Sequence, residues 1–231
     1  MEIQILQMLK GAMAAKGIAV VIDVFRAFSV EAYLFAGGAE KVIPVADEKL
    51  AYRLKAEHPE YLLIGERGGK MLPGFDAGNS PSQLLEIDVR GKTAVHTTSA
   101  GTQGLFGAKN AGRIFGGALV NAAATAKYVK KIGAECVSLV AMGLAGTSPT
   151  EEDDLCAAYM KSCIEENPMP PTEENIAVLK ATSGAKFFDP MQSEVFPTAD
   201  FEMCVKADIF DFAMELISDG AGLPYMKKIE V

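Results

Sequence analysis

The sequence lacks the marks of several common protein classes. Basic residues are few and unclustered: 22 Lys and Arg stand against 30 Asp and Glu, a formal net charge of −8. With no basic stripe to release phosphate counterions, this argues against nucleic acid as a partner. It also means that an anionic ligand must be drawn in by local charge and backbone dipoles against the overall field. The longest apolar runs are too short, and too often broken by Gly or charge, to span a bilayer, so no membrane is expected. Met1-Glu2-Ile3-Gln4-Ile5-Leu6 has neither the basic region nor the apolar run of a signal peptide. The four cysteines, Cys136, Cys156, Cys163 and Cys204, form no C-x-x-C pair. Cys156 and Cys163, on one helical face, read as small core residues, and a reducing, cytoplasmic setting is expected. Of the two histidines, His58 precedes a proline and His96 falls inside a strand pattern, so zinc is not expected. No internal repeat, G-x-S-x-G elbow, Cys-x5-Arg loop or Walker motif is present.

What the 231 residues do have is apolar content, 49%, in a strand–helix alternation. Ile18 to Val24 reads as a strand buried on both faces, followed by a helix from Ser29 to about Gly37. Lys41 to Val45, Tyr61 to Ile64, Thr93 to Thr97, Arg113 to Gly116 and Cys136 to Ala141 repeat the strand pattern. Asp47 and Asn121 stand where helix caps are wanted, and Ser148-Pro149-Thr150-Glu151 reads as a capping box. The rhythm predicts a three-layer α/β fold with a mainly parallel, or mixed, central sheet and helices on both faces. It predicts one domain, with a core over about 18–165 and a C-terminal extension, 166–231, packed on it. In that extension the sequence suggests an apolar patch at 186–190, a strand over 207–214 and a turn at 220–222.

The polar clusters fall just after strands: Asp23 and Arg26, Glu66 and Arg67, Thr97 to Thr102, and the glycines after Ala141. In open parallel sheets the ligand crevice lies outside the carboxyl ends of the strands, so these clusters mark a small-molecule site. The glycine- and proline-rich stretch from Gly65 to Pro81 is too long for an ordinary connection and carries an apolar plug, Leu72 and Phe75. Asp23-Val24-Phe25-Arg26 reads either as a buried ion pair or as catalytic groups. Phe25 stands where an aspartyl-phosphate mechanism of the haloacid dehalogenase type needs a second Asp. Thr97, Thr98, Ser99, Gly101 and Thr102 offer hydroxyls and backbone N–H groups at a helix start, either as capping chemistry or as an anion nest.

Glu151 to Asp154 puts four acids in a row at another helix start. With Cys156, Tyr159, Met160 and Cys163 marking the buried face, Glu152 and Asp153 turn inward and Glu151 and Asp154 outward. Inward acids need a partner, arginine or a metal. Magnesium suits oxygen ligands supplied by one or two carboxylates.

Taken together, these motifs resemble the 2-phosphosulfolactate phosphatase family. The resemblance is carried by Asp23-Val24-Phe25-Arg26-Ala27, by Glu66-Arg67-Gly68-Gly69 with Pro73-Gly74-Phe75-Asp76-x-Gly78-Asn79-Ser80-Pro81, and by Thr97-Thr98-x-x-Gly101-Thr102. Asn121 and Glu152-Asp153-x-Leu155-Cys156-Ala157 extend it. Phe28 stands where the family usually has Thr, and Ser99-Ala100 replaces a more usual Thr-Asn. The resemblance implies a magnesium-dependent phosphatase of a small anionic phosphorylated substrate, 2-phosphosulfolactate, on a route towards coenzyme M or sulfolactate. It implies catalytic roles for Asp23, Arg26, Glu66, Arg67 and Asp76. Asn79, Ser80, Thr97, Thr98, Ser99, Gly101, Thr102 and Asn121 are then expected to bind substrate, and Asp23, Glu66, Glu152 and Asp153 to hold magnesium. A phosphatase of another small phosphorylated hydroxy acid, or a non-catalytic anion-binding module, remain as alternatives. A homodimer is the base-rate expectation.

Overall fold

The computed structural model describes residues 1–218, 220 and 222–231. The chain runs through β1 (Glu2–Gln7), α1 (Met8–Ala14), β2 (Ile18–Ile22), α2 (Ala27–Ala36), β3 (Lys41–Pro44), α3 (Glu48–Glu57), β4 (Leu62–Arg67) and the short β5 (Lys70–Met71). Next come α4 (Pro81–Leu84), β6 (Thr93–Thr97), α5 (Gly101–Gly107), β7 (Arg113–Gly117), α6 (Ala122–Ile132), β8 (Cys136–Ala141) and α7 (Glu151–Ile164). Then follow α8 (Glu173–Ala181), α9 (Thr198–Cys204), β9 (Phe212–Ile217) and β10 (Tyr225–Glu230). The expected strand at 207–214 begins later, at Phe212, and Ala221 of the expected 220–222 turn lies outside the described residues.

Local chemistry explains most boundaries. Every residue of β2 is buried, as its unbroken apolar run requires. Asp47 caps α3 through a hydrogen bond from the Lys49 N–H at 3.0 Å. Two expected caps differ. Thr150 occupies the N-cap of α7 without a side-chain bond, so no capping box forms around Ser148. Asn121 turns its Oδ1 back to the Ala118 N–H and its Nδ2 to Thr125 Oγ1 and the Phe212 carbonyl. It stitches a 3₁₀ turn to β9 and does not line the cavity at Asp23.

The strand order is β1-β8-β2-β7-β9-β10-β3-β6-β4-β5, a mixed and mostly parallel sheet. Helices pack on it in two groups, α1 with α5 and α6 with α7, completing a three-layer α/β arrangement. The segment read from sequence as a C-terminal extension packed on the core supplies two strands in the middle of this sheet: the β9–β10 hairpin joins β7 to β3, antiparallel at each step. Three antiparallel steps reverse direction, so the β1-β8-β2-β7 set and the β3-β6-β4 set have opposite sense. The two sets are therefore not one carboxyl edge of a flat sheet. Contacts across the sheet nevertheless bring elements of the two sets together. Helix α5, which follows β6, accordingly packs on α1, β2 and β7. Glycine permits that approach: a Cβ at Gly104 would lie 2.5 Å from Met142 Sδ and 2.6 Å from Val21 Cγ1.

Outside the main core, Leu179, Phe187 and Phe201 form a separate apolar cluster with Phe25 and Phe196 packed against it. Residues of the 166–231 segment are thus anchored directly over the turn that follows β2.

Candidate active site

The turn after β2, the end of β4, the start of α5, the loop after β8 and the first turn of α7 enclose a cavity of about 240 Å³. Asp23, Glu66, Glu152 and Asp153 all line it, together with Arg26, Asn79, Thr98 and Ser99. Glu151 and Asp154, on the same helical turn, are exposed.

The four acids are not equivalent. Asp23 Oδ1 accepts the Ala27 N–H at 3.2 Å. Burial above all, with Glu152 and Glu66 nearby, pushes its carboxyl up to about 6 against the pull of that N–H and of Lys186. Glu66 accepts the Gly69 N–H at 2.6 Å on Oε2 and the Ser99 N–H at 2.7 Å on Oε1. Asp153 accepts the Val24 N–H and the Gly143 N–H, each at 2.8 Å, one on each oxygen, and so ties the β2 turn to the β8 loop. Burial, then Glu152 and Asp23, raise its carboxyl well above the ordinary range. Burial also raises Glu152, and among the described residues its Oε2 has no hydrogen-bond partner.

Within the stretch Thr97 to Thr102, Ser99 gives its N–H and its hydroxyl to the Glu66 side chain. Thr98 and Thr102 cap one another, with the Thr102 N–H on Thr98 Oγ1 at 3.1 Å and the Thr98 N–H on Thr102 Oγ1 at 3.2 Å. Thr97 Oγ1 accepts from Arg67, and neither Thr97 nor Thr102 reaches the cavity. A Cβ on Gly101 would lie 2.6 Å from Ala27 Cβ and 3.1 Å from Asp23 Oδ2, so glycine lets α5 abut the acid. Phe28 fills the core beside it.

The expected cationic groups are rearranged. Arg26 lines the cavity, yet its Nη1 donates to Asp200 Oδ2 at 2.7 Å and to the Val195 carbonyl at 2.8 Å. Its guanidinium lies 4.8 Å from the Phe196 ring centroid. Arg67 lies outside the cavity: Nη1 donates to the Glu66 carbonyl, and Nη2 to the Ala46 carbonyl and Thr97 Oγ1. Asp76 is also outside, bracing the loop through the Leu63 N–H at 2.8 Å and Lys55 Nζ at 3.1 Å. Ser80 caps α4 and donates to Asp200 Oδ1 at 2.8 Å. Arg67→Lys is accordingly expected to lower stability by about 1–2 kcal/mol, the worth of hydrogen bonds from a charged donor, while kcat/KM stays within about threefold. A large fall in kcat/KM in a fully folded variant would return Arg67 to the site.

Lys186, in a 3₁₀ turn at Ala185–Phe188 that the sequence offered only as part of an apolar patch, lines the cavity as well. Burial pushes its ammonium below the ordinary lysine range, and Glu152 beside it resists that shift. Its Nζ lies 5.5 and 5.3 Å from the Phe187 and Phe196 ring centroids. Among the described residues no carboxylate is within 4.0 Å of it.

Among the described residues, no three His, Cys, Asp or Glu side chains gather as a ready ligand cluster. Glu66 and Asp153 have both oxygens committed to backbone N–H groups. Asp23 and Glu152 remain, and the unpartnered Glu152 oxygen suits a cation. Such a pair fits magnesium, which takes one or two carboxylates alongside water and substrate oxygens.

The cavity thus gathers buried carboxylates and a largely buried lysine at strand ends of an α/β fold. The family model described as 2-phosphosulpholactate phosphatase matches residues 4–219, and the chain belongs to that family of phosphoric monoester hydrolases. It is 36% identical over 223 residues to "Probable 2-phosphosulfolactate phosphatase" of Bacillus subtilis (strain 168), covering 95% of this chain and 96% of that protein. Proteins of the same name from Caldicellulosiruptor saccharolyticus and Clostridium beijerinckii are 35% and 32% identical, covering 85% and 86% of this chain and 88% of each relative. Among the described residues, no helix is long and apolar enough to cross a membrane.

Proposed function

We propose that this protein hydrolyses 2-phosphosulfolactate to sulfolactate and phosphate with magnesium as its cofactor. The observation that carries the reading is the convergence of Asp23, Glu152 and Lys186 in one cavity, beside the Glu66 and Thr98–Ser99 segments. The substrate joins a phosphate ester to a carboxylate and a sulfonate, so it needs cationic and amide donors as well as charge neutralisation at the phosphoryl group. Asp23 and Glu152 would hold the ion. When bound there, magnesium would neutralise the charge that builds on the phosphoryl oxygens. Lys186 binds an anionic oxygen, its ammonium held dry by Phe187 and Phe196. Glu66 and Asp153 act on the backbone, fixing the α5 and β8 loops around the ligand. Phe25 and Phe196 line the cavity with apolar surface and keep bulk water from the phosphoryl group.

Phosphate release from 2-phosphosulfolactate is expected with magnesium, to vanish on chelation and to return when the metal is restored. Glu152→Gln should weaken magnesium activation about tenfold or more, as loss of a charge-assisted contact does. Glu151→Gln removes the same charge from an exposed position and should not. Release from a different phosphorylated hydroxy acid alone would transfer the assignment to that substrate. Undiminished turnover in chelator would remove the metal role.

A further inference from the structure

We infer that Glu31 and His96 form a relay behind the cavity that holds Asn79 with its amide nitrogen towards the ligand, making Asn79 a donor to an anionic substrate oxygen. Glu31, in α2, and His96, in β6, are both fully buried. Ionisable side chains enter a core only when paired and hydrogen-bonded. His96 Nδ1 lies 2.9 Å from Glu31 Oε1, and Nε2 lies 3.2 Å from Asn79 Oδ1. With the Asn79 oxygen placed on Nε2 and Glu31 ionised, both partners accept, and on this inference both ring nitrogens donate.

A doubly donating ring leaves Asn79 one orientation. Its oxygen faces His96 and its NH2 is free for the cavity that Asn79 lines. A neutral ring donating only at Nδ1 would accept at Nε2, turn the amide over and present an oxygen that repels anions. The charge on Glu31 is thus read out at the other end of the His96 ring as a donor. Among the described residues Glu31 Oε2 has no partner. An unsatisfied buried carboxylate oxygen is costly, and packing alone gives no reason to keep one there. Glu31 and His96 are positioning residues, since neither lines the cavity.

The ligand in this inference rests on the proposed reaction; the relay itself does not. Nitrogen-15 NMR of the wild-type His96 ring is expected to show protons on both ring nitrogens near neutral pH, and on only one in Glu31→Gln. A singly protonated wild-type ring overturns the relay whether or not the protein turns over this substrate. In kinetics, Glu31→Gln should raise KM for 2-phosphosulfolactate about tenfold, the worth of a hydrogen bond to a charged group, with kcat nearly unchanged. The same change in an Asn79→Ala background should add nothing. No rise in the first case, or an equal rise in both, overturns the inference. His96→Gln, which keeps a donor towards Asn79, should hold KM nearer wild type than His96→Leu; equal KM values for the two likewise overturn it, even if Glu31→Gln does not fold.

Discussion

Asp23→Asn is expected to give a protein that is more stable at neutral pH and almost inactive. Burial, with Glu152 and Glu66 nearby, lifts the Asp23 carboxyl from 3.8 to about 6. A carboxyl raised in this way contributes stability fully below its unfolded value and loses it as pH climbs through the folded one. Near pH 7 the ionised group therefore opposes folding, by on the order of 2–3 kcal/mol at about 1.36 kcal/mol per unit. Asparagine removes the charge yet can still accept the Ala27 N–H. In metal-free protein the variant should gain about that much in denaturant unfolding near pH 7, and almost nothing near pH 4. Phosphate release should fall by about 10²–10⁴, the usual worth of a positioned catalytic side chain. In the wild type, magnesium affinity should climb as pH rises through about 6, because the ligand must be deprotonated. Retained turnover, or no gain in stability near pH 7, would remove Asp23 from the role given to it.

Asp200→Ala acts in the other direction. Asp200 is completely buried. One oxygen takes Arg26, and the other accepts from Ser80 Oγ, the Ser82 N–H and Ser82 Oγ at 2.8, 3.0 and 2.6 Å. Truncation leaves a guanidinium uncompensated among Phe187 and Phe196, which costs about 3–5 kcal/mol for a buried pair broken on one side. The urea midpoint should fall accordingly, and activity should be lost with the fold. Replacing both partners by apolar residues, Arg26→Met with Asp200→Leu, should recover part of that stability, because no orphan charge remains. A loss under about 1 kcal/mol for the single truncation would show that water reaches Arg26 and compensates it.

Strands β2, β6 and β8 were legible because each is a short apolar run bounded by polar turns. The inward pair at Glu152 and Asp153 was legible from helical spacing against Cys156 and Met160. The arginines were not. A motif brings Arg26 and Arg67 to a strand end, but a guanidinium with five donors takes whatever acceptors the fold supplies, and here protein carbonyls and Asp200 do so. Lys186, Phe196 and Asp200 left no local signal, since their positions depend on contacts with Phe25 and Arg26 across 174 residues of chain in the longest case. The same holds for β9 and β10: the sequence suggested a strand only over 207–214, and nothing local in Phe212–Ile217 or Tyr225–Glu230 names its neighbours in the sheet.

The hairpin's place in the sheet has a consequence for the nascent chain. Every other strand is synthesised before β9 and β10, yet those two join the sets on either side. Until residues 212–230 emerge, β7 and β3 each offer an unpaired edge, the kind of template that recruits a second chain. Newly made protein therefore passes through an interval in which chaperone binding competes with misassembly between copies. A protease cut between α9 and β9 would open the sheet along its seam instead of trimming its rim.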